Sequence, residues 1–486
     1  MFKPSKYQQA IYDEFDTTNH NLVVSAVAGS GKTSTLLQLL KRTYLPTAFL
    51  AFNKSIQQEI ESKVSQPNVT VSTIHSLGMK SLLRHFRRNI KVQANKPWEL
   101  AKKLGWQIEP SEYVRTMTTV HQLVDLYRLT LCQDADDLRK VADELGVEYS
   151  NDEISKSIDL MREIDEYNKN PEMIDFTDMI YIPATNRQIR LALQPKLVFV
   201  DECQDLNACQ HQLIDRLINE NRARFVAVGD PYQSIYGFAG AHSKSFDLFL
   251  EKPNVKQMPL SICYRCGTRI VDKANRVYNI MEPFEKNPPG IVRVGEINEI
   301  QEGDMVICRN VRPLVDVYFK LLANGMKATI KGKDIGKGLI KLIKPLPPHT
   351  TVGQMNTYLF AKLSDKQKEL QDRGIINVTN HPSYGNLSDK IDVLFFIAEQ
   401  YATVGQVIAF LERLFSDNEK KGVVLSTIHK SKGLEADNVF ILDVNLIPSK
   451  YATTKDQLKQ ERNLLYVAIT RAKNKLIYIN SNKTKR

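Results

Sequence analysis

Six cysteines in 486 residues are too few for a disulfide framework. Of these only Cys263 and Cys266 share the C-x-x-C spacing of a redox or half-zinc pair. No second such pair completes a tetrahedral zinc site, so the pattern fits the reduced thiols of an intracellular protein. Long apolar runs are also missing. Nothing is long enough to span a bilayer, and Met1-Phe2-Lys3-Pro4 opens without the apolar core of a signal peptide. A soluble protein with no membrane partner is expected, in the cytoplasm of a bacterial or phage-infected cell or in a nucleus. An acidic excess is absent too: 66 Lys and Arg stand against 55 Asp and Glu, a formal net charge of +11. That balance favours a polyanionic partner, because each phosphate contact releases condensed counterions. A chain this long exceeds one ordinary core, and several domains are expected.

What is present is a rhythm of short, β-branched apolar runs that end in polar or acidic residues. Leu22-Val23-Val24-Ser25 comes first, followed by a small-residue loop and by leucines at helical spacing across 32–44 (Leu36, Leu37, Leu39, Leu40). Similar runs occupy 47–52, 196–200 and 225–228, and a later set occupies 305–308, 423–426, 439–442 and 476–479. Strands of a parallel α/β sheet end in this way where they reach a ligand crevice. Residues 78–171, which hold Trp98 and Trp106, and 344–418, which open on Pro345-Leu346-Pro347-Pro348, read as helical. The expected architecture is α/β: two P-loop-type lobes with parallel sheets, each interrupted by a mainly helical insertion. The first lobe takes 1–77 and 172–255 around an insertion at 78–171. The second takes 256–343 and 419–486 around a smaller insertion at 344–418. There is no tandem repeat, but Ser72-Thr73-Ile74-His75-Ser76 echoes Ser426-Thr427-Ile428-His429-Lys430. Each segment follows an apolar run at a comparable place in its lobe, as two related lobes facing one ligand require.

Ala26-Val27-Ala28-Gly29-Ser30-Gly31-Lys32-Thr33 is a P-loop lacking only its first glycine, between a strand and a helix as that motif requires. Small residues let backbone N–H groups from Ala28 to Ser34 curl around phosphate oxygens, with the helix N-terminus adding positive potential. Lys32 is placed to reach the outer phosphates and Thr33 to ligate Mg²⁺. Val198-Phe199-Val200-Asp201-Glu202 then delivers two carboxylates from an apolar strand: Asp201 for Mg²⁺ and Glu202 as general base for the attacking water. A third strand ends in Gly229-Asp230-Pro231-Tyr232-Gln233, which puts Gln233 beside Asp201 as a sensor of the γ-phosphate. Together these predict an NTPase. A regulatory GTPase is excluded because Asn53-Lys54-Ser55-Ile56 has Ile56 where the guanine-reading aspartate belongs, and a transporter ATPase lacks its transmembrane partner.

Asp201-Glu-Cys-Gln-Asp205, Gly229-Asp-Pro-Tyr-Gln-Ser-Ile-Tyr-Gly237, Thr427-Ile-His-Lys-Ser-Lys-Gly-Leu-Glu435 and Leu464-Leu-Tyr-Val-Ala-Ile-Thr-Arg-Ala472 resemble the helicase motifs of the UvrD/Rep/PcrA family of superfamily 1. They occur in that family's order across nearly the whole chain. Leu50-Ala-Phe-Asn-Lys-Ser-Ile56 and Thr73-Ile-His-Ser76 are most similar to its phage and F-box DNA helicase branches, although no F-box-like extension precedes the P-loop. The resemblance implies RecA-like lobes, ATP with Mg²⁺, and an adenine contact from Gln8. It implies a base stack from Tyr264, a ribose contact from Glu435, and arginine fingers at Arg265 and Arg471. Fixed guanidinium charges at the γ-phosphate stabilise the transition state and tie hydrolysis to lobe closure. Cys263 stands where the family typically has Asn.

Single-strand binding without sequence preference uses aromatic platforms and backbone contacts. The motif positions nominate Tyr236 and Phe238 as platforms, Thr73, His75, Thr427 and His429 beside phosphates, and Phe52 and Asn53 as additions. Ala239 follows Phe238 where many relatives carry Arg. Arg84-His85-Phe86-Arg87-Arg88 and the lysines of 327–344 are further basic stretches. The expected function is an ATP-dependent, monomeric DNA helicase with 3′-to-5′ polarity, working on single strands and on single/double-strand junctions, with replication or recombination proteins as partners. The rivals are a translocase that strips proteins from single strands, favoured by the short second insertion, and the motor subunit of a helicase–nuclease. The chain ends soon after Arg471, so a nuclease would have to come from a partner.

Overall fold

A computed structural model of the chain describes residues 3–110, 112–235, 244–372, 375, 377–415 and 422–481. The chain divides into two compact units, Met1–Ser261 and Ile262–Arg486. Among the described residues no helix is long and apolar enough to cross a membrane.

The first unit is built on six parallel strands in the order Val69–Thr73, Thr47–Ala51, Leu197–Val200, Arg224–Gly229, Asn21–Ala26, Val255–Leu260. Both faces of this sheet are covered. Val24, Phe49, Phe199 and Val226 pack with Tyr12 and with Leu36 and Leu39 of the helix Lys32–Leu40. On the other face Val23, Leu50, Val198 and Ala227 pack with Leu213 and Leu217 of the helix Ala208–Asn221. A parallel sheet buried on both sides needs near-continuous apolar strands, which is why the four inner strands stand out in the sequence. The helix after the P-loop stops at Leu40, short of the expected residue 44, where Tyr44 is fully exposed and no apolar face remains to bury. The strand Val255–Leu260 pairs with Asn21–Ala26, so residues 256–260 belong to the first sheet and not to the second lobe.

The helices Lys96–Ala101, Tyr113–Thr130, Ala135–Leu145 and Asn151–Tyr167 carry apolar clusters separate from those of the sheet, one around Val120 and Leu160, one around Leu123 and Leu138. A buried polar cluster is embedded beside them. Lys96 Nζ lies 2.5 Å from an Asp178 oxygen and 2.5 Å from Asn168 Oδ1, and Arg128 Nη1 lies 2.8 Å from Asp178 and 3.0 Å from Asp175. Lys96, Arg128 and Asp178 are wholly buried, so each charge is compensated by another rather than by water. The helix Ile74–Phe86 crosses Asp178–Thr185 so closely at Gly78 that a Cβ there would stand 1.7 Å from the Met179 carbonyl oxygen.

The second unit is also a six-stranded parallel sheet, ordered Ile291–Val294, Ala472–Ile479, Ala436–Leu442, Met305–Cys308, Val423–Thr427, Ala328–Lys331. Its helices Val352–Asp372, Pro382–Ala398 and Val404–Leu414 do not stand apart from it. Met355, Leu359, Leu394 and Phe410 share one apolar cluster with Val306, Leu425 and Phe440 of the sheet. Both units are thus α/β with parallel sheets and added helices, as the strand rhythm predicts. Because all strands of a sheet point one way, the polar residues that follow them gather along one edge.

Candidate nucleotide and nucleic-acid site

The P-loop leaves its strand at Ala26 and enters its helix at Lys32. Gly29 (φ 67°) and Gly31 (φ 80°) take the left-handed conformation that this tight turn demands and that side chains with a Cβ resist. Ala28 and Ser30 are buried, Thr33 is half-buried and Ser34 is exposed. Ser30 Oγ is buried without a hydrogen-bond partner among the described residues, a polar atom left in a concave turn of backbone. Gln8 is buried against the same helix. Its Nε2 donates to Thr35 Oγ1 at 3.1 Å, while its Oε1 accepts from the Ser5 backbone N–H in a capping box, so adenine recognition would require the amide to exchange these bonds.

The carboxylates follow the strand Leu197–Val200. Asp201 is buried, and its Oδ1 accepts from the Glu202 N–H at 3.0 Å. Glu202 sits in left-handed backbone (φ 49°, ψ 42°), a strained conformation for a residue with a Cβ. That turn presents its carboxylate to Lys32: Nζ lies 2.8 and 2.9 Å from the two oxygens. Burial alone would push Lys32 down, but Glu202, with Asp201 and Asp230, holds it above the usual lysine range. Burial, with Glu202 alongside, pushes Asp201 up to about 7 against the pull of Lys32. Burial likewise pushes Asp230 up to about 6. One cation among three acids, two of them buried, leaves the site short of positive charge. The donor set therefore fits a divalent ion at Asp201 and Thr33.

Gln233 follows the neighbouring strand, and its Nε2 donates to Asp230 at 2.6 Å. Of the strand-track residues, Thr73 caps the helix Ile74–Phe86 through a hydrogen bond from Ser76 N–H, and half-buried His75 has its proton affinity lowered by burial. Phe52 is half-buried against the core, and exposed Asn53 caps the helix Lys54–Glu61. Tyr236 and Phe238 lie outside the described residues. Of the basic run, Arg84 reaches the Ala192 carbonyl and Arg88 binds Asn170 and the Pro171 carbonyl, so both are engaged locally.

In the second unit Tyr264 is exposed, with its ring 4.8 Å from that of Phe284. Arg265 Nε lies 2.7 Å from Glu435, which also pairs with Lys473 at 2.7 Å. Arg471 is buried, with its guanidinium turned onto the carbonyls of Val467 (3.0 Å) and Leu434 (2.9 Å). Burial, then the charge of Arg265, pushes it down to about 10. Thr427 accepts from Lys430 N–H, and His429 is pushed down to about 3 by burial and by Arg309 and Lys430.

Residues 6–254 match the UvrD/REP helicase N-terminal domain, and residues 349–483 match the UvrD-like helicase C-terminal domain. The chain belongs to the UvrD/REP helicase family. It is 25% identical to F-box DNA helicase protein 1 of Schizosaccharomyces pombe over 94% of this chain and 55% of that protein. It is 26% identical to ATP-dependent DNA helicase Rep of Buchnera aphidicola over 59% of this chain and 47% of that protein. Gabija protein GajB of Bacillus cereus is 25% identical over 59% of this chain and 64% of its own length. The chain spans about half the length of the first two relatives.

Within this UvrD/REP family chain, sequence reasoning missed Gln204. It is buried, donates to Glu202 at 2.7 Å and to Asp205 at 3.0 Å, and accepts from the Asp230 N–H at 3.0 Å. Gly229 must lack a side chain for this: a Cβ there would stand 2.4 Å from Gln204 Oε1. Only its place in Asp201-Glu-Cys-Gln-Asp205 could have flagged it.

Proposed function

We propose that this chain is an ATP-driven DNA helicase motor that moves 3′ to 5′ along single-stranded DNA as a monomer and separates duplex at junctions. The observation that carries the proposal is the Lys32–Glu202 contact at 2.8 Å, with buried Asp201 adjacent, at the mouth of a P-loop in a UvrD/REP family chain. In this scheme residues 1–77 and 172–261 form the first motor lobe and 78–171 its insertion; 262–343 and 419–486 form the second lobe, with 344–418 added to it.

ATP phosphates take Lys32 from Glu202, with backbone N–H groups of residues 28–34 around them and Gln8 at the adenine. Thr33 and Asp201 would hold Mg²⁺, which would supply positive charge beside the phosphate oxygens. Glu202, released from Lys32 but still held by Gln204, accepts the proton of the attacking water. Gln233 orients that water. Tyr264 stacks on the base, Glu435 takes the ribose, and Arg265 and Arg471 act as arginine fingers once Arg471 leaves its carbonyl partners. Thr73, His75, Thr427 and His429 contact the strand backbone, with Phe52, Asn53, Tyr236 and Phe238 along the bases.

One observation favours a second reading. The helices of 352–414 share their core with the sheet instead of standing free, which suits a translocase that strips proteins and separates duplex poorly. ATP turnover with and without single-stranded DNA, beside displacement from duplexes with a 3′ or a 5′ tail, separates the two. Strand-stimulated turnover with displacement from the 3′ tail is expected, and Lys32→Ala should abolish both. Stimulation without displacement selects the translocase, and turnover indifferent to DNA refutes both.

A further inference from the structure

The two thiols left aside by this chemistry lie against its arginines. Cys263 and Cys266 are completely buried and bracket Tyr264 and Arg265. The Cys266 N–H donates to Cys263 Sγ across 3.5 Å. Asn287 Nδ2 donates to both carbonyls, Cys263 O at 2.7 Å and Cys266 O at 2.8 Å, which closes the turn. Cys266 Sγ lies 3.9 Å from the Thr470 carbonyl, the residue before Arg471, and Arg265 Nη1 reaches the same carbonyl at 3.5 Å.

The two sulfurs are chemically unequal. The hydrogen bond from Cys266, helped by backbone N–H groups and by Arg265, holds the Cys263 thiol down at about 7 in spite of burial. The same bond, with burial, pushes Cys266 well up. A thiolate beside a protonated partner is the arrangement that attacks an oxidant and is then resolved. By contrast, burial pushes Cys209 and Cys308 up to about 12. Access requires local opening of this turn, which the two-residue ladder of Ile262–Cys263 with Glu282–Pro283, the Asn287 bonds, the Phe284 N–H on the Cys263 carbonyl and the Gly267 N–H on the Lys473 carbonyl hold closed.

We propose that Cys263 and Cys266 form a redox-modifiable dithiol that a hydroperoxide closes into a disulfide around Tyr264 and Arg265, slowing ATP turnover. The effect on turnover rests on the arginine-finger reading above. The Cys263 thiolate attacks the peroxide oxygen, giving a sulfenic acid and releasing water or an alcohol. Cys266 then attacks the Cys263 sulfur, the S–S bond forms, and the sulfenic oxygen leaves as a second water. Two electrons pass from the thiols to the peroxide. Closing the ring re-aims Arg265 and shifts the Thr470 carbonyl that precedes Arg471.

The test treats the full chain with hydrogen peroxide and then with dithiothreitol, reading the peptide that holds both cysteines by mass and ATP turnover in parallel. The peptide should lose two hydrogens. Turnover should fall on the order of 100-fold, the scale of an ångström-sized misplacement of a reacting group, and return on reduction. Cys266→Ser should stop at a sulfenic acid on Cys263, and Cys263→Ser should resist peroxide. An unchanged peptide mass, a disulfide that leaves turnover unaltered, or a Cys263→Ser protein as peroxide-sensitive as the parent overturns the proposal. If the untreated protein hydrolyses no ATP, the motor reading fails on its own, and the mass change alone decides whether the dithiol site exists.

Discussion

Replacing Glu202 by Gln should move nucleotide affinity and turnover in opposite directions. Lys32 lies 2.8 Å from the Glu202 carboxylate, with the two side chains only 16% and 23% exposed. At an effective dielectric near 20, unit charges at that distance attract by ~6 kcal/mol before hydration is counted. Water at the partly open ends reduces the net value to that of a charge-assisted hydrogen bond, ~1.5–3 kcal/mol. In the proposed scheme ATP needs the same ammonium, so its phosphates would have to displace this contact. Glu202→Gln keeps the shape and an acceptor for Lys32 but removes the competing charge. With half of the lower figure lost as residual amide bonding, ~0.75 kcal/mol remains and Mg–ATP should bind roughly three- to fourfold tighter. Turnover should nevertheless fall by about 10²–10⁴, the contribution of a positioned general base.

A fluorescent-nucleotide titration and steady-state phosphate release, both at saturating single-stranded DNA, check the two halves. Turnover within tenfold of the parent would remove Glu202 from the role of base. Weaker nucleotide binding by Glu202→Gln would show that the Lys32 contact does not compete with phosphate, and the sequence of events argued for Lys32 would be wrong.

Asp201→Asn should abolish turnover yet raise the thermal midpoint of the metal-free protein at pH 8. Asp201 is pushed up to about 7, so the folded state keeps a proton that the unfolded chain releases near 4, and stability falls as pH rises through that window. The gain should be a few degrees, at ~2–4 °C per kcal/mol for a unit of this size, and no gain at pH 8 would contradict the account of an unbalanced acidic pocket. Arg128→Met strands Asp175 and Asp178 with Lys96 alone and should cost about 3–5 kcal/mol, read as a lowered denaturation midpoint; an unchanged midpoint would mean that water already reaches the cluster. His429→Gln should blunt acid sensitivity. His429 is pushed from 6.5 down to about 3, so stability is lost as pH falls between those values, and an identical acid titration of parent and variant would refute its burial.

The inner strands of both sheets were legible because burial on two faces forces unbroken apolar runs. The edges were not. Val255–Leu260 buries only Met258 and Leu260, and Ile291–Val294, though rich in β-branched residues, has no fully buried residue, so neither is the unbroken buried run of an inner strand. The same physics hid the polar interior. Lys96 and Arg128 look like solvated charges in helical sequence, and their partner Asp178 lies 82 and 50 residues further on. Gln204 is engaged by Asp230, 26 residues away, through strands that become neighbours only on folding. In contrast, the P-loop and the Asp201–Glu202 pair were legible because each is a local device: a loop or a turn whose chemistry is written in consecutive residues.

The five-residue echo stands between these cases, since a match that short carries little weight as sequence. Its weight comes from backbone chemistry. Ser72 Oγ donates to the Thr73 carbonyl at 3.1 Å, and Ser426 Oγ donates to the Thr427 carbonyl at 3.0 Å. Thr73 Oγ1 accepts from Ser76 N–H at 3.1 Å, and Thr427 Oγ1 accepts from Lys430 N–H at 3.3 Å. Both segments end a parallel strand, and both place a histidine whose proton affinity burial lowers. Each unit therefore solves the exit from a strand in the same way, with a hydroxyl holding the first free N–H of the turn and a neutral imidazole beside it. A neutral imidazole donates or accepts hydrogen bonds without adding charge. In the proposed motor, contacts made by His75 and His429 would hold a strand's sugar and phosphate oxygens in register without contributing to the salt-dependent affinity that basic residues would supply. If the proposed motor releases and regrips its strand at each step, it would gain from such weak, geometrically fixed contacts repeated in both units.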